Sequence, residues 1–129
     1  MKEIKFRVWD NENKSFVSNL MLGVNGCLFD KDSDTMPLQA VDCNRYTVEF
    51  YTGWTDGYCK EIYVGDIIET IEESGQKYIQ SVVWCSLVSR FEIKQIFPKA
   101  ICVDCALHRY TDGKIIGNIH ENPELLKTE

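Results

Sequence analysis

The sequence lacks any apolar segment of the roughly 18 residues that a membrane-spanning helix requires. Its first ten residues, MKEIKFRVWD, carry charged side chains where a secretion signal has its apolar stretch, so we expect a cytoplasmic protein. Six cysteines occur without such a signal, and a reducing cytosol keeps thiols free. We therefore predict no disulfides and interpret most cysteines as buried packing residues.

Positive charge is also scarce. Lys and Arg total 14, Asp and Glu total 20, and the formal net charge is −6. Because binding to the phosphate backbone of nucleic acids depends on positive charge, we do not expect nucleic acid as the partner of such a chain. An acidic surface favours solubility and basic partners instead.

Recognisable catalytic motifs are missing. The sequence contains neither a nucleophile elbow nor a glycine-rich phosphate-binding loop, and its only histidines are His108 and His120. We therefore predict that the protein is not an enzyme and requires no cofactor.

The segment CVDCALH is the strongest candidate for metal chemistry. Cys102 and Cys105 have the C-x2-C spacing that can chelate one zinc ion, and His108 is a possible third ligand. A structural zinc site needs four ligands, and no second C-x2-C or histidine pair follows. We predict that these residues pack without metal, and zinc binding is the alternative.

The acidic segment DKDSD resembles the start of a calcium-binding loop. Asp30, Asp32 and Asp34 have the correct spacing, but Thr35 and Val41 occupy positions that require glycine and glutamate. The segment is therefore predicted to be a solvated acidic loop.

Short alternating segments separated by turn residues dominate the chain. IKFRVWD alternates Ile4, Phe6 and Val8 with Lys5, Arg7 and Trp9, which predicts a strand whose second face contacts solvent. No long amphipathic helix is visible, so the pattern predicts a small barrel or sandwich. We predict one domain over residues 1–129, with an N-terminal hairpin region at 1–45 and a barrel core at 46–129.

The segment from Phe50 to Glu69 combines several turn signals. Gly53 interrupts a strand, and Asp56 followed by glycine indicates a hairpin turn. Gly65 suits a positive φ, and Asp66 can accept hydrogen bonds from nearby backbone amides. The alternative, that Asp66 is a general base or metal ligand, is less favoured because both residue types are what such a turn requires.

The chain is predicted to end in one short helix. Asn122 is a suitable N-cap, and Pro123 suits the first helical position because its missing N–H costs nothing there.

Three blocks, IKFRVWDNENKSFV at 4–17, YTGWTDGYCKEIYVGDII at 51–68 and IIGNIHENPELL at 115–126, resemble the YopX family of phage and prophage proteins. The resemblance implies a mainly β domain with an SH3-like barrel in a bacterial host, and no established activity. Cys59 replaces the glycine that the family has before Lys-Glu, whereas Gly57 lies two residues earlier. We therefore predict that the turn is displaced by two residues.

The composition and the resemblance together favour an accessory protein that acts through protein–protein contacts or self-assembly. Many aromatic residues occur in 129 residues, and aromatic patches often mark protein interfaces. The expected partner is another copy of the chain, in a homo-oligomer, or a host or phage protein. One alternative is a nucleic-acid-associated small barrel. Another is an acidic decoy that mimics DNA and occupies a host DNA-binding protein.

Overall fold

A computed structural model describes residues 5–23, 26–30, 40–42, 44–87, 90–98, 104–106 (backbone only) and 113–127. The described chain is mainly β, which confirms the predicted fold class of a small β-barrel. The predicted C-terminal helix is a 3-10 helix over Pro123–Leu126. The strands are β1 (Phe6–Asp10), β2 (Ser15–Val17), β3 (Leu20–Leu22), β4 (Leu28–Asp30), β5 (Tyr46–Thr55), β6 (Glu61–Tyr63), β7 (Asp66–Ile71), β8 (Lys77–Cys85), β9 (Arg90–Phe97), β10 (Asp104–Ala106) and β11 (Lys114–Asn118).

The chain forms two compact units, one of Phe6–Glu49 and the other of Met1–Lys5 with Phe50–Glu129. The boundary falls within β5. Among the described residues, no helix has the length and apolar character that crossing a membrane would require.

The unit of Phe6–Glu49 contains two antiparallel hairpins, β1–β2 and β3–β4. Val8, Leu20 and Leu28 form a cluster of buried apolar side chains in this unit. Burial of apolar surface of this kind is the main force that stabilises a small sheet. The partly buried apolar residues around them are Phe6, Val17, Leu22, Val41, Tyr46 and Val48.

The predicted solvent face of β1 is wrong at Trp9, which is only 3% exposed. Trp9 lies opposite Phe16 in the β1–β2 ladder, and their rings meet edge to face at 4.9 Å. The guanidinium of Arg7 lies 4.7 Å from the same Phe16 ring. Cross-strand aromatic packing therefore buries the second face of this strand, a contact that alternation within one strand does not reveal.

The second unit is built on a five-stranded antiparallel sheet in the order β10-β9-β8-β7-β11. Strand β10 pairs with β9 at one edge of this sheet. The second half of β5 forms a hairpin with β6. One buried cluster joins five strands of this unit through Ile62, Ile68, Val82, Ile93 and Ile115, with Phe91 packed against it.

A buried carboxylate organises the β1–β2 turn. The Asp10 side chain accepts hydrogen bonds from the backbone N–H groups of Glu12 (2.9 Å) and Asn13 (3.2 Å). It also accepts two hydrogen bonds from the guanidinium of Arg45, at 3.0 and 2.9 Å. Hydrogen bonding to Arg45, reinforced by the two backbone amides, outweighs burial and lowers the pKa of Asp10 to about 2.

This lowered pKa predicts an acid-sensitive contribution to stability. Since the ordinary value is 3.8, the contribution of Asp10 is complete above about pH 4 and is lost as the pH falls towards 2. In urea unfolding, Asp10→Asn should therefore be less stable than wild type at pH 6, and the difference should shrink between pH 4 and pH 2. Glu73→Gln, which alters an exposed carboxylate, is the control, and a difference independent of pH would contradict the prediction.

Candidate functional site

The β5–β6 hairpin departs from regular alternation at Gly53. Gly53 has φ 86°, and the pairing register shifts between Tyr51 and Thr55. Thr52 is fully buried, where its hydroxyl donates to the carbonyl of Ile62 (2.8 Å). The same hydroxyl accepts from the N–H of Trp54 (3.2 Å), whose side chain is 44% exposed. The irregularity thus directs the indole of Trp54 towards solvent, a common effect of β-bulges.

Asp56 holds the turn of this hairpin together. It is only 6% exposed. One carboxylate oxygen accepts the N–H groups of Tyr58 (2.9 Å) and Lys60 (2.8 Å), and the other accepts the N–H of Ile115 on β11 (3.1 Å). The N–H of Gly57 also donates to the carbonyl of Gly113 (2.8 Å). The turn is therefore fixed both internally and to the start of β11.

These contacts also determine the ionisation of Asp56. Burial alone would raise its pKa, but the backbone amides of Lys60, Ile115 and Tyr58, with the charge of Lys60, hold it below the ordinary value. Asp56 is therefore an ionised structural anion. A carboxylate with both oxygens engaged and a lowered pKa is a poor general base at neutral pH.

The predicted displacement of the turn is wrong. Cys59, at the position where the resemblance implies a glycine, itself has a positive φ of 65°. Its N–H donates to the carbonyl of Asp56 (3.1 Å), which closes a four-residue turn. The left-handed position follows this turn, as in hairpins with a three-residue loop and a glycine bulge. The contacts of Asp56 keep the turn in register although the residue there is not glycine.

The Gly65–Asp66 step joins β6 to β7. Gly65 has φ 96°, its N–H donates to the carbonyl of Val82 (2.9 Å), and its carbonyl accepts the N–H of Ile119 (2.9 Å). Asp66 is 3% exposed and accepts the N–H of Tyr63 (2.8 Å). Both residues are thus built into the turn.

The segment after β11 is organised by Asn118, which sequence reasoning did not single out although it lies in the IIGNIHENPELL block. Its side-chain oxygen accepts the N–H groups of His120 (3.0 Å) and Glu121 (2.9 Å). Asn122 is the N-cap residue of the 3-10 helix, with Pro123 following it. The Asn122 side chain makes no cap bond to the helix and instead accepts the N–H of Asn118 (3.3 Å).

Two aromatic and two cationic side chains are exposed at the turn of the β5–β6 hairpin and on the adjoining start of β11. Tyr58 is 73% exposed, and the ammonium of Lys114 lies 5.8 Å from the centre of its ring. Lys60 is exposed as well. We call Trp54, Tyr58, Lys60 and Lys114 the aromatic tip. Lys114 could not be assigned from the sequence, because it reaches Tyr58 only through the attachment of the turn to β11.

Other exposed apolar side chains are more scattered. Trp84 is 50% exposed but packs edge to face on Phe91 at 4.9 Å, and Leu87 is 94% exposed on the turn after β8. Isolated apolar residues are normal on protein surfaces. The aromatic tip differs because Tyr58 lies on a fixed turn with the ammonium of Lys114 near its ring, and the exposed Trp54 precedes it by four residues on β5.

An open groove of about 530 Å³ lies elsewhere in the same unit. Ile79, Phe97 and Leu125 give it apolar walls, and its charged lining residues include Lys77 and Lys127. Its volume is typical of ligand sites. The polar side chains described along the groove are exposed to solvent. A specific small-molecule site instead has buried polar groups that converge on the ligand and orient it.

The zinc candidates Cys102 and His108 lie outside the described residues, and only the backbone of Cys105, in β10, is described. Asp32 and Asp34 of the acidic loop are likewise outside the described part. Within the described residues, no three His, Cys, Asp or Glu side chains form a group suited to a metal ion.

The prediction that most cysteines are buried does not hold for the three whose side chains are described. Cys59 is exposed, and Cys27 and Cys85 are half-buried. All three are free thiols.

Comparison with known proteins shows a family match and a likeness to solved structures. The family model described as "YopX protein" matches residues 5–127. A crystal structure of protein EF1440 from Enterococcus faecalis is 22% identical, with a TM-score of 0.62, and the match covers 98% of this chain and 100% of that chain. This likeness shows a shared fold. No curated protein matches the chain.

Removing the Asp56 carboxylate should destabilise the second unit. Asp56→Ala leaves three backbone N–H groups without their acceptor, at a cost of about 2–4 kcal/mol in the free energy of unfolding. Asp56→Asn keeps one acceptor oxygen for Tyr58 and Lys60 but places an amide nitrogen against the N–H of Ile115, so its loss should be intermediate. Urea unfolding checks the order, and equal losses for the two variants would contradict this arrangement.

The left-handed backbone at Cys59 predicts a stabilising substitution. Cys59→Gly removes steric strain but increases the freedom of the unfolded chain, for a net gain of about 0.5–1 kcal/mol. Cys59→Ala removes the thiol and retains the strain, so it should leave stability nearly unchanged. If chemical denaturation shows both variants equally stable, the strain at residue 59 is not as inferred.

Proposed function

Because the chain belongs to the YopX family, we propose that it is a phage- or prophage-encoded accessory protein that acts through protein–protein contacts rather than catalysis. It works in the cytoplasm of the bacterial host, and its barrel is of the SH3-like type. The family match over residues 5–127 supports the phage origin. The five-stranded antiparallel sheet of the second unit supports the barrel type.

The observation that carries this proposal is the exposure of two aromatic side chains, Trp54 near the end of β5 and Tyr58 on the turn that the buried Asp56 holds in place. Large aromatic side chains provide much contact area and are enriched in protein interfaces. A fixed turn also reduces the conformational entropy that such residues lose on binding. The aromatic tip is therefore the proposed contact surface.

The structural roles of Asp56, Asp66 and Asn118 support the proposal of a non-catalytic protein. Asp56 and Asp66 accept backbone hydrogen bonds and are buried, and Asn118 closes the loop after β11. A catalytic group must reach a substrate atom within hydrogen-bonding distance. These three side chains instead shape the scaffold that presents the aromatic tip.

Self-assembly is one form of this proposal, since a second copy can be the partner. Native mass spectrometry of the protein purified without added metal or chelator would report the number of subunits and any bound ion in one spectrum. A homo-oligomer that becomes monomeric on Trp54→Ala would identify the partner as the chain itself.

The contact surface can be tested in cells. A photo-crosslinking phenylalanine analogue at position 58 should give a discrete adduct with one protein, which mass spectrometry of the adduct identifies as a second copy or another protein. Trp54→Ala in the same protein should reduce that adduct severalfold, because it removes the neighbouring aromatic contact.

The matched control carries the same analogue at position 87, where Leu87 is 94% exposed but lies outside the aromatic tip. It should give no discrete adduct. The proposal fails if position 58 yields no adduct, or if positions 58 and 87 yield the same set.

A further inference from the structure

The aromatic tip carries positive charge on a protein whose net charge is −6. Lys60 and Lys114 are both exposed, and within the described residues neither forms an ion pair. The carboxylate of Asp56 at the start of the turn is buried and accepts three backbone hydrogen bonds. The charge of Lys60 contributes to the lowered pKa of Asp56, and both lysine side chains remain exposed to solvent.

Two carboxylates near these lysines, both within the described part of the chain, are already paired with other cations. Glu61, next to Lys60 in the chain, forms an ion pair with Lys5 at 2.7 Å. Glu69 lies opposite Lys114 in the β7–β11 ladder and forms an ion pair with Lys77 at 3.5 Å. As far as the described carboxylates are concerned, the two lysines of the aromatic tip therefore keep charge that an approaching partner can neutralise.

We propose that the aromatic tip binds an acidic peptide segment of a partner protein. The rings of Trp54 and Tyr58 contact its apolar side chains, and Lys60 and Lys114 contact its Asp or Glu carboxylates. Charge complementarity is the basis for this assignment, since the tip is locally opposite in sign to the molecule as a whole. This inference rests on the proposed function, because it specifies the partner of the same surface.

Single-stranded nucleic acid is the competing ligand, because stacking on aromatic rings combined with lysines also describes its binding. Nucleic-acid grooves track the phosphate backbone with a continuous positive surface. Here two lysines lie on a chain in which carboxylates outnumber cations by 20 to 14. Repulsion of a polyanion by the rest of the protein favours a short acidic segment over a nucleic acid.

The probe is a displayed library of random 12-residue peptides, selected against the full chain. We expect enriched peptides to be rich in Asp and Glu with interspersed apolar residues. A fluorescein-labelled copy of the most enriched peptide should bind roughly three- to tenfold more weakly to the double variant Lys60→Gln/Lys114→Gln, because two exposed ion pairs are lost. Its affinity for wild type should fall as salt is raised.

The control Lys94→Gln/Lys127→Gln removes two exposed lysines outside the aromatic tip and should bind the peptide as tightly as wild type. Enrichment of peptides without net negative charge, failure to enrich any peptide, or equal weakening by both double variants would overturn the inference. Labelled oligo-dT of 15 nucleotides that binds wild type and loses affinity only in Lys60→Gln/Lys114→Gln would overturn it in favour of nucleic acid.

The two proposals fail separately. If position 58 gives a specific adduct but the selection enriches no acidic peptides, the proposed contact surface is supported. Only the inference that the partner segment is acidic is then contradicted. Absence of the adduct removes the contact surface, whatever the peptide library gives.

Discussion

The backbone N–H groups at the turns need hydrogen-bond acceptors, and buried polar side chains supply them. The rest of this structure depends on that constraint. Asp10 serves the turn between β1 and β2, and Asp56 serves the turn between β5 and β6. A buried donor without an acceptor costs free energy comparable to a lost hydrogen bond. Short strands with tight turns have many such donors, so carboxylates placed at the start of the turns determine which conformations remain available.

The same constraint explains why two turns tolerate non-glycine residues in the left-handed region. Lys14 has φ 55° and Cys59 has φ 65°, and each ends a turn that begins with a buried aspartate. The N–H of Lys14 donates to the carbonyl of Asp10 (2.9 Å), and that of Cys59 donates to the carbonyl of Asp56 (3.1 Å). The hydrogen bonds at the aspartate offset the steric cost of a side chain at positive φ.

This arrangement also connects the fold with the proposed role. Several carboxylates are buried and engaged with arginine or backbone donors, as with Glu49 and Arg7 at 3.0 Å and Glu92 and Arg90 at 2.9 Å. The arginines and backbone donors that contact these carboxylates largely compensate their negative charge. At the end of the β5–β6 hairpin the buried Asp56 leaves aromatic and cationic side chains exposed to solvent. The turn that the scaffold requires therefore also carries the surface proposed for contact with a partner.

Much of this organisation could be predicted from local sequence. The positive φ of Gly65, the capping position of Asn122 before Pro123 and the turn beginning at Asp56 all follow from the conformational preferences of single residues. The failures have a common cause. Trp9 is buried by Phe16 from another strand, and Cys59 keeps the glycine position because Asp56 anchors the turn to β11.

The sequence by itself determined the mainly β character, the positions of the principal turns and the family, because strand alternation and turn chemistry act over a few neighbouring residues. Only the tertiary structure decided which faces are buried, which carboxylates are engaged and which residues form the aromatic tip. Lys114 lies near Tyr58 because β11 pairs with β7 and because the N–H of Ile115 on β11 donates to Asp56 at the β5–β6 turn. Such contacts depend on strand order and register, and these are set by the packing of distant segments rather than by local preference.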